Sequence, residues 1–437
     1  MLSAGYGGLV LSVKRELPVW QEYCRMTQRV ADLRVVDHTC RDCAFNFLDE
    51  LVTYQGGDVG LTENIVSLFM EIGSIGSRHG GSKGDAQGDN QFFHLATKEL
   101  LRNLISLLIL ATGRVSIPDL CRLVSVLPRT PDNVASAKWR ESNWCFQLLH
   151  ALDTQPKPPS QQHDYEAILN YICYGFPNLA PRTQSSIAAT FSGMADLFQR
   201  GLLHQLHSQG TSLSPRAIDN GAVIVLDLPL KTYGDVGLYC QLVWKMMTQN
   251  YLERRPVDAN TTPAFIFIDE AQFFASQQAD ALFASTCRAS RVANVLISQS
   301  VSGFETAFGS GAMGKALAEQ LFANLSTKVI HATSDNGTAE WASNLIGKNY
   351  RLLGNSSCSQ GPGGVDWAAM AGIGPSSQQT SSGFSESLQY DVEPSEFAYL
   401  RTGGLENGLL VDGIAIRSGR PFQCTGKTWM PVTFSQQ

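Results

Sequence analysis

The most chemically pointed run in this 437-residue chain is Phe265-Ile266-Phe267-Ile268-Asp269-Glu270-Ala271-Gln272. Four consecutive apolar residues read as a buried strand. They deliver two adjacent carboxylates to its C-terminal end, where open α/β sheets bind ligands. In nucleotide hydrolases the Asp of such a pair supports magnesium, through water, and the Glu orients and deprotonates the attacking water. The competing account is a strand that simply ends in an acidic cap. One helix further on, Ser285-Thr-Cys-Arg-Ala-Ser-Arg291 presents Arg288, with Arg291 close by. A guanidinium there could reach a γ-phosphate held by a neighbouring subunit, or could be a surface arginine at a helix end. In Leu296-Ile-Ser-Gln-Ser300 the pair Ser298-Gln299 ends the next apolar strand. Gln299 could sense a γ-phosphate, and a plain polar strand end is the alternative. In Thr333-Ser-Asp-Asn-Gly-Thr-Ala-Glu-Trp341, Ser334 or Asp335 can cap a helix beginning near Thr338.

These residues need a sheet to hold them. Leu9 to Val13 reads as a buried strand, Lys14 to Val30 as a helix with Pro18 in its first turn, and Leu33 to Val36 as a second strand. Strand, helix, strand implies a parallel sheet. Ser77 to Asn90 is poor in apolar residues and reads as a loop. From Gln91 to Leu206 the pattern is helical, with Ser116 as an N-cap before Ile117-Pro118. The strand rhythm returns at Ala222–Leu228, Ala264–Ile268, Ala293–Ile297 and Thr327–His331, with a helix over Tyr239–Leu252. After Lys348 the chain is Gly/Ser-rich, then ends in short strand-like pieces. This alternation predicts an α/β fold in four stretches: 1–76 as the first part of a sheet core, 91–206 as an all-helical insertion, 220–348 as the second part of the core, and 349–437 completing it.

Composition narrows the classes. With 43% hydrophobic and 16% charged residues the chain is ordinary globular material. A net charge of −6 lowers the expectation of nucleic-acid binding without excluding it, because a ring can confine positive charge to its pore. The ten cysteines are scattered and fit a reduced compartment better than a disulfide framework. Cys40-x-x-Cys43 after His38 has half the spacing of a zinc site, but no second pair matches it, so thiols are expected there. No signal peptide is visible, and the longest apolar run, Leu104 to Thr112, is too short to span a bilayer. The chain is therefore expected to be soluble.

The order of segments resembles the type IV secretion coupling proteins of the TraG/TraD kind, relatives of the FtsK and HerA DNA pumps. The pieces that carry the resemblance are Gly7-Gly-Leu-Val-Leu-Ser-Val-Lys14, Phe45-Asn-Phe-Leu-Asp49, the helical insertion, the Asp269-Glu270 strand, Arg288, Ser298-Gln299 and Thr333–Trp341. The resemblance implies a RecA-like P-loop NTPase core with an all-α insertion. It implies ATP and Mg2+ as cofactors, Asp269 and Glu270 as the Walker B pair, with Asp269 toward Mg-ATP, and Arg288 acting in trans. DNA, a relaxase or other transfer proteins, secretion channel components and further copies in a hexameric ring are the implied partners. The implied location is the cytoplasmic side of the inner membrane.

One part of the family pattern is missing. The Walker A loop, G-x-x-x-x-G-K-[ST], should precede the first helix of the core, where its N–H groups cradle phosphates. The chain instead begins Met1-Leu-Ser-Ala-Gly, so the core is expected to lack its P-loop strand. Gly309-Ser-Gly-Ala-Met-Gly314-Lys315 mimics the loop but has Ala316 where a hydroxyl residue belongs and lies after the Asp-Glu strand. Gly80-Gly-Ser-Lys83-Gly84 follows no strand. Two functions stay open: the C-terminal part of a DNA-translocating ATPase, or a hydrolysis-dead module that binds DNA or a substrate protein.

Overall fold

The computed structural model describes residues 1–54, 62–79, 87–277, 279–309, 311–359 and 379–436. It divides into two units, Met1–Ser298 with Ala307–Leu317, and Gln299–Thr306 with Ala318–Gln437.

The first unit is built on five parallel strands: β1 (Gly7–Leu11), β2 (Leu33–Val36), β3 (Val223–Leu226), β4 (Ala264–Ile268) and β5 (Val292–Leu296), in the order β2-β3-β1-β4-β5. Every residue of β1 is buried, as expected for a central strand covered on both faces. Its two glycines have steric reasons. A Cβ on Gly7 would sit 2.2 Å from the Ile218 carbonyl oxygen, and one on Gly8 would sit 2.5 Å from the Phe265 ring. Helix α1 (Leu17–Met26) carries Pro18 in its first turn and lays Trp20 on the sheet. The indole stacks on Phe265 with ring centres 5.7 Å apart and meets Phe267 edge-on at 5.1 Å. Arg29, just beyond α1, donates to the carbonyls of Leu2, Tyr6 and Gly221, tying the N-terminal ends of the strands together.

Between β2 and β3 the chain is helical: α2 (Phe47–Tyr54), α3 (Thr62–His79), α4 (Gln87–Thr112), α5 (Ile117–Val126), α6 (Pro131–Ala135), α7 (Ala137–Ser142), α8 (Trp144–Asp153), α9 (Pro159–Asn170), α10 (Pro181–Ala195) and α11 (Gly201–His207). Ser116 caps α5, accepting from Asp119 N at 3.2 Å. The loop expected over 77–90 is narrower than its composition suggests, because α3 runs to His79 and α4 starts at Gln87; Gly80–Gly84 lies outside the described residues. Long helix α12 (Leu230–Arg254), kinked at Gly234, backs the sheet. An aromatic cluster of Phe45, Phe47, Phe198, His207, Tyr239 and Trp244 locks it to the helical region. No single helix among the described residues is long and apolar enough to cross a membrane.

Helix α13 (Ala279–Thr286) connects β4 to β5, and among the described residues β5 pairs only with β4, leaving its other edge open. Gly314 and Lys315 lie in helix α15 (Ala312–Asn324), which comes after helix α14 (Val301–Ala307) in the chain. They follow a helix rather than a strand, so they lack the setting of a phosphate loop.

The second unit holds an antiparallel sheet of β6 (Thr327–His331), β9 (Leu410–Arg417) and β10 (Trp429–Ser435), in the order β10-β9-β6. Helix α16 (Asn336–Ile346) packs on it through Ala339, Ala342, Ile414, Ile416 and Phe397. Asp335 is its N-cap, accepting from Thr338 N at 3.0 Å. A two-stranded ribbon, β7 (Lys348–Ser359) with β8 (Gln379–Tyr390), occupies the stretch whose Gly/Ser content reads as loop.

Candidate functional site

The chain turns to one side of the sheet after β1 and to the other after β4, and these two strands are neighbours. The crevice between their C-terminal ends is the switch point, where doubly wound sheets bind ligands. Leu11 and Ile268 are register partners, so the next residues on each strand, Ser12 and Asp269, emerge side by side. Asp269 N donates to Leu11 O at 2.9 Å, and Ser12 Oγ donates to Asp269 Oδ2 at 3.2 Å. The buried amide of Gln241, from α12, accepts from Ser12 N at 2.9 Å and donates to Ser12 O and Leu228 O, both at 3.0 Å. The strand end is thereby fixed without a side-chain charge.

Glu270 is 5% exposed and sits in the left-handed region at φ +51°. A non-glycine residue there costs backbone energy and persists when its surroundings over-determine it. Three contacts do so. Lys14 Nζ donates to Glu270 Oε1 at 3.1 Å, Gln272 Nε2 donates to Oε2 at 2.9 Å, and Ala271 N donates to Ile297 O at 2.8 Å. The hydrogen bond that Lys14 donates to Glu270, with the nearby charge of Asp269, holds the Lys14 ammonium above its ordinary range. Burial, reinforced by the Asp269 charge, raises the Glu16 carboxyl. Next to this group, Asp227 at the end of β3 takes Arg15 Nε at 3.4 Å.

The turn that follows Glu270 is held from behind. Lys245, 1% exposed on α12, donates to Phe274 O at 2.6 Å and pairs with Asp280 at 2.6 Å. Asp280 also accepts from Gln249 Nε2 at 3.0 Å and Ser276 N at 2.9 Å, and the Ser276 hydroxyl donates to Glu71 on α3.

Of the sequence-derived candidates, Asp269 and Glu270 lie together at the crevice mouth. Arg288 does not join them. It precedes β5, whose first residue Val292 pairs with Ala264 at the start of β4. Ile268 and Ala264 are four strand steps apart, roughly 13 Å. Arg288 is exposed; its carbonyl accepts from Arg291 N at 3.1 Å, while its guanidinium has no hydrogen-bond or ion-pair partner among the described residues. Arg291 instead donates to the carbonyls of Asp258 and Ala259. Gln299 opens the second unit. Ser12, Lys14 and Gln241 complete the constellation and were not candidates from sequence. The available signal was that β1, like β4, is an apolar run ending in polar residues.

The carboxylates suit a magnesium ion, which takes one or two carboxylates and retains waters. The phosphate half of a nucleotide site, a loop of convergent N–H groups after a strand, has no counterpart among the described residues.

Residues 263–394 match the family model described as the TraM recognition site of TraD and TraG. No curated protein sequence matches the chain. Among solved structures, the unbound monoclinic form of the bacterial conjugative coupling protein TrwBdeltaN70 aligns with 100% of this chain and 85% of its own, at 12% identity and a TM-score of 0.54. The plasmid coupling protein TrwB in complex with the non-hydrolysable GTP analogue GDPNP aligns with 100% and 86%, at 12% identity and 0.54. Its complex with the ATP analogue ADPNP gives the same coverage and identity at 0.53. The chain shares the α/β, RecA-like P-loop NTPase fold of these proteins.

Proposed function

We propose, from the family-model match over residues 263–394 and the TrwB-like fold, that the chain belongs to a DNA-translocating ATPase of the type IV secretion coupling kind. It would couple DNA and its bound relaxase or other transfer proteins to a secretion channel. The observation that carries this reading is the pair Asp269 and Glu270 at the switch point, with Glu270 in a strained, contact-fixed conformation. The TrwB relatives in complex with nucleotide analogues support a nucleotide ligand, and the matched family model supports a transfer-protein partner. A hexameric ring on the cytoplasmic side of the inner membrane is part of the same proposal.

A bound magnesium nucleotide would supply the phosphoanhydride to be cleaved, with Asp269 holding the ion through water. The chain's own residues do the rest. Ser12 orients Asp269 by donating its hydroxyl to one carboxylate oxygen. Glu270 accepts the proton of the attacking water, which requires it to exchange its contacts with Lys14 and Gln272 for that water. Lys14, 61% exposed, is free to swing away from Glu270 and offset negative charge developing nearby. Gln299 senses the γ-phosphate. Arg288, its guanidinium without a partner among the described residues and distant from its own carboxylates, serves a neighbouring subunit.

The test is DNA-stimulated ATP hydrolysis by the chain extended at its N-terminus with a strand, G-x-x-x-x-G-K-[ST] loop and helix. Hydrolysis that rises with DNA supports the reading. An extended chain that binds DNA, with affinity falling as salt rises, but never hydrolyses ATP would favour the binding-module reading. The lack of a phosphate cradle among the described residues is what keeps that second reading in view.

A further inference from the structure

The Cys40-x-x-Cys43 pair was read from sequence as thiols, and the structure corrects this: the two sulfurs are bonded to each other. A zinc half-site is ruled out by the same bond, and no cluster of metal-ligating side chains occurs among the described residues. The pair sits just after β2, in the strand–helix–strand context where a C-x-x-C motif acts as a dithiol–disulfide couple. We propose that Cys40 and Cys43 form a thiol–disulfide exchange site that sets the stiffness of the hinge between the sheet and the helical region. This inference is independent of the proposed ATPase reading.

The hinge is residues 37–46, the single stretch that carries the chain from β2 into α2. Its two ends are anchored differently. On the sheet side, Asp37 Oδ1 accepts from Thr39 N at 2.8 Å, and His38 Nδ1 lies 2.8 Å from the Tyr233 hydroxyl at the start of α12. On the helical side, Ala44 O accepts from Ser212 N at 2.8 Å and Leu213 N at 3.2 Å, and Phe45 N donates to Leu206 O. The disulfide lies between the two anchors and joins residues three apart. Closing it removes backbone freedom from residues 40–43, which the long Cys40 N to Asp37 O hydrogen bond of 3.4 Å otherwise holds on the sheet side.

Exposure favours the same pair. Cys43 is 4% exposed, while Cys40 is only partly covered, so one sulfur is open to attack and the other is sheltered behind it. The other described cysteines are poor competitors. Cys24, Cys145, Cys240 and Cys287 are buried, and Cys121 and Cys173 are half-buried. The thiolate is the reactive form, and burial raises the thiols of Cys121 and Cys145 to about 12. Cys424 is exposed but has no cysteine bonded to it.

The exchange balances with a low-molecular-weight disulfide as co-reactant. In the oxidising direction the Cys40 thiolate attacks one sulfur of the small disulfide, breaking its S–S bond and expelling one thiolate. The Cys43 thiolate then attacks Cys40 Sγ in the mixed disulfide, forming the intramolecular bond and expelling the second thiolate. Two electrons pass from the protein to the small disulfide, and the two protons from the cysteines end on the released thiols. Reduction is the reverse.

The experiment exploits Arg41, which lies inside the loop. Trypsin cleaves after Arg34, Arg41 and Arg78, so in the oxidised chain peptides 35–41 and 42–78 stay tied until reduced. The chain is equilibrated in dithiothreitol or in oxidised small disulfide, alkylated and mapped, and backbone hydrogen exchange over 37–46 is followed in both states. The expected result is a linked peptide pair that reversibly gives way to two alkylated peptides, with exchange over 37–46 several-fold faster after reduction. Cys40→Ser and Cys43→Ser should each give the fast exchange in either buffer, and Cys424→Ser should switch like the parent. Either of two results overturns the proposal: both cysteines alkylated after oxidising treatment, or protection released by a chelator and not by dithiothreitol. A linked pair whose reduction leaves exchange over 37–46 unchanged overturns the hinge role.

Discussion

Replacing Lys245 by methionine probes the turn that carries Glu270. Lys245 and Asp280 are 1% and 6% exposed, and their closest atoms are 2.6 Å apart. The ammonium is also the donor to Phe274 O. Methionine keeps the length and most of the volume but leaves the Asp280 carboxylate in the interior with only Gln249 and Ser276 N as partners. Breaking one side of a buried pair costs about 3–5 kcal/mol, because the remaining charge is uncompensated. Lys245→Met should therefore lower the unfolding free energy by about that much, and Asp280→Asn should cost a comparable amount by stranding the ammonium. The double variant removes both charges at once, so its cost should fall short of the sum of the singles by about 1.5–3 kcal/mol. Urea unfolding of the four proteins, with equal m-values, gives the cycle directly. Single variants costing under about 1 kcal/mol, in the range of exposed pairs, would refute the reasoning. Strict additivity would refute the coupling.

Two further outcomes follow from other sites. His207 is fully buried between Phe45 O and Cys240 Sγ, and burial lowers its pKa from 6.5 to about 4. The unfolded chain then binds a proton that the folded chain refuses, so stability is lost as pH falls below 6.5 and the loss levels off near 4. By pH 5 this one residue should cost about 2 kcal/mol, measured as the pH dependence of unfolding that His207→Gln removes; an unchanged dependence would assign the acid sensitivity elsewhere. For Arg288, exposed and with no side-chain partner among the described residues, Arg288→Ala should leave the fold intact. Mixed with Glu270→Gln subunits in the extended form, it should recover part of the hydrolysis that each variant lacks alone. No recovery on mixing would count against action in trans.

The core was legible where chemistry and periodicity agree. The run Ala264–Ile268 ending in Asp269-Glu270 stands in the structure as read, and so does β2, whereas the helices between β2 and β3 begin at Phe47, well before the Gln91 start read from the sequence. Strand β1 was placed two residues late, over Leu9–Val13 rather than Gly7–Leu11. Its glycines look like a turn in sequence and are in fact forced by the approach of Ile218 and Phe265. Helix α1 is shorter than its reading, ending at Met26. Helix α12 is longer than the Tyr239–Leu252 read from the sequence, running from Leu230 to Arg254 with a kink at Gly234. The β7–β8 ribbon was missed because Ser, Gly and Asn carry little strand preference. At the site, Ser12, Lys14 and Gln241 lie more than 200 residues from their partners in sequence, in separations such as 256 for Lys14 with Glu270. The register of β1 against β4 brings Ser12 and Lys14 beside the carboxylates, and α12 brings Gln241 to Ser12. The Cys40–Cys43 bond was missed because scattered cysteines carry no pairing information.

The central claim is that Glu270 is the base of a nucleotide-hydrolysing site. Its most direct test is single-turnover ATP hydrolysis by the N-terminally extended chain, with DNA present, comparing Glu270 with Glu270→Gln. Loss of a positioned general base predicts a rate lower by about 10²–10⁴-fold with nucleotide binding retained. Equal rates in the two proteins would contradict the account.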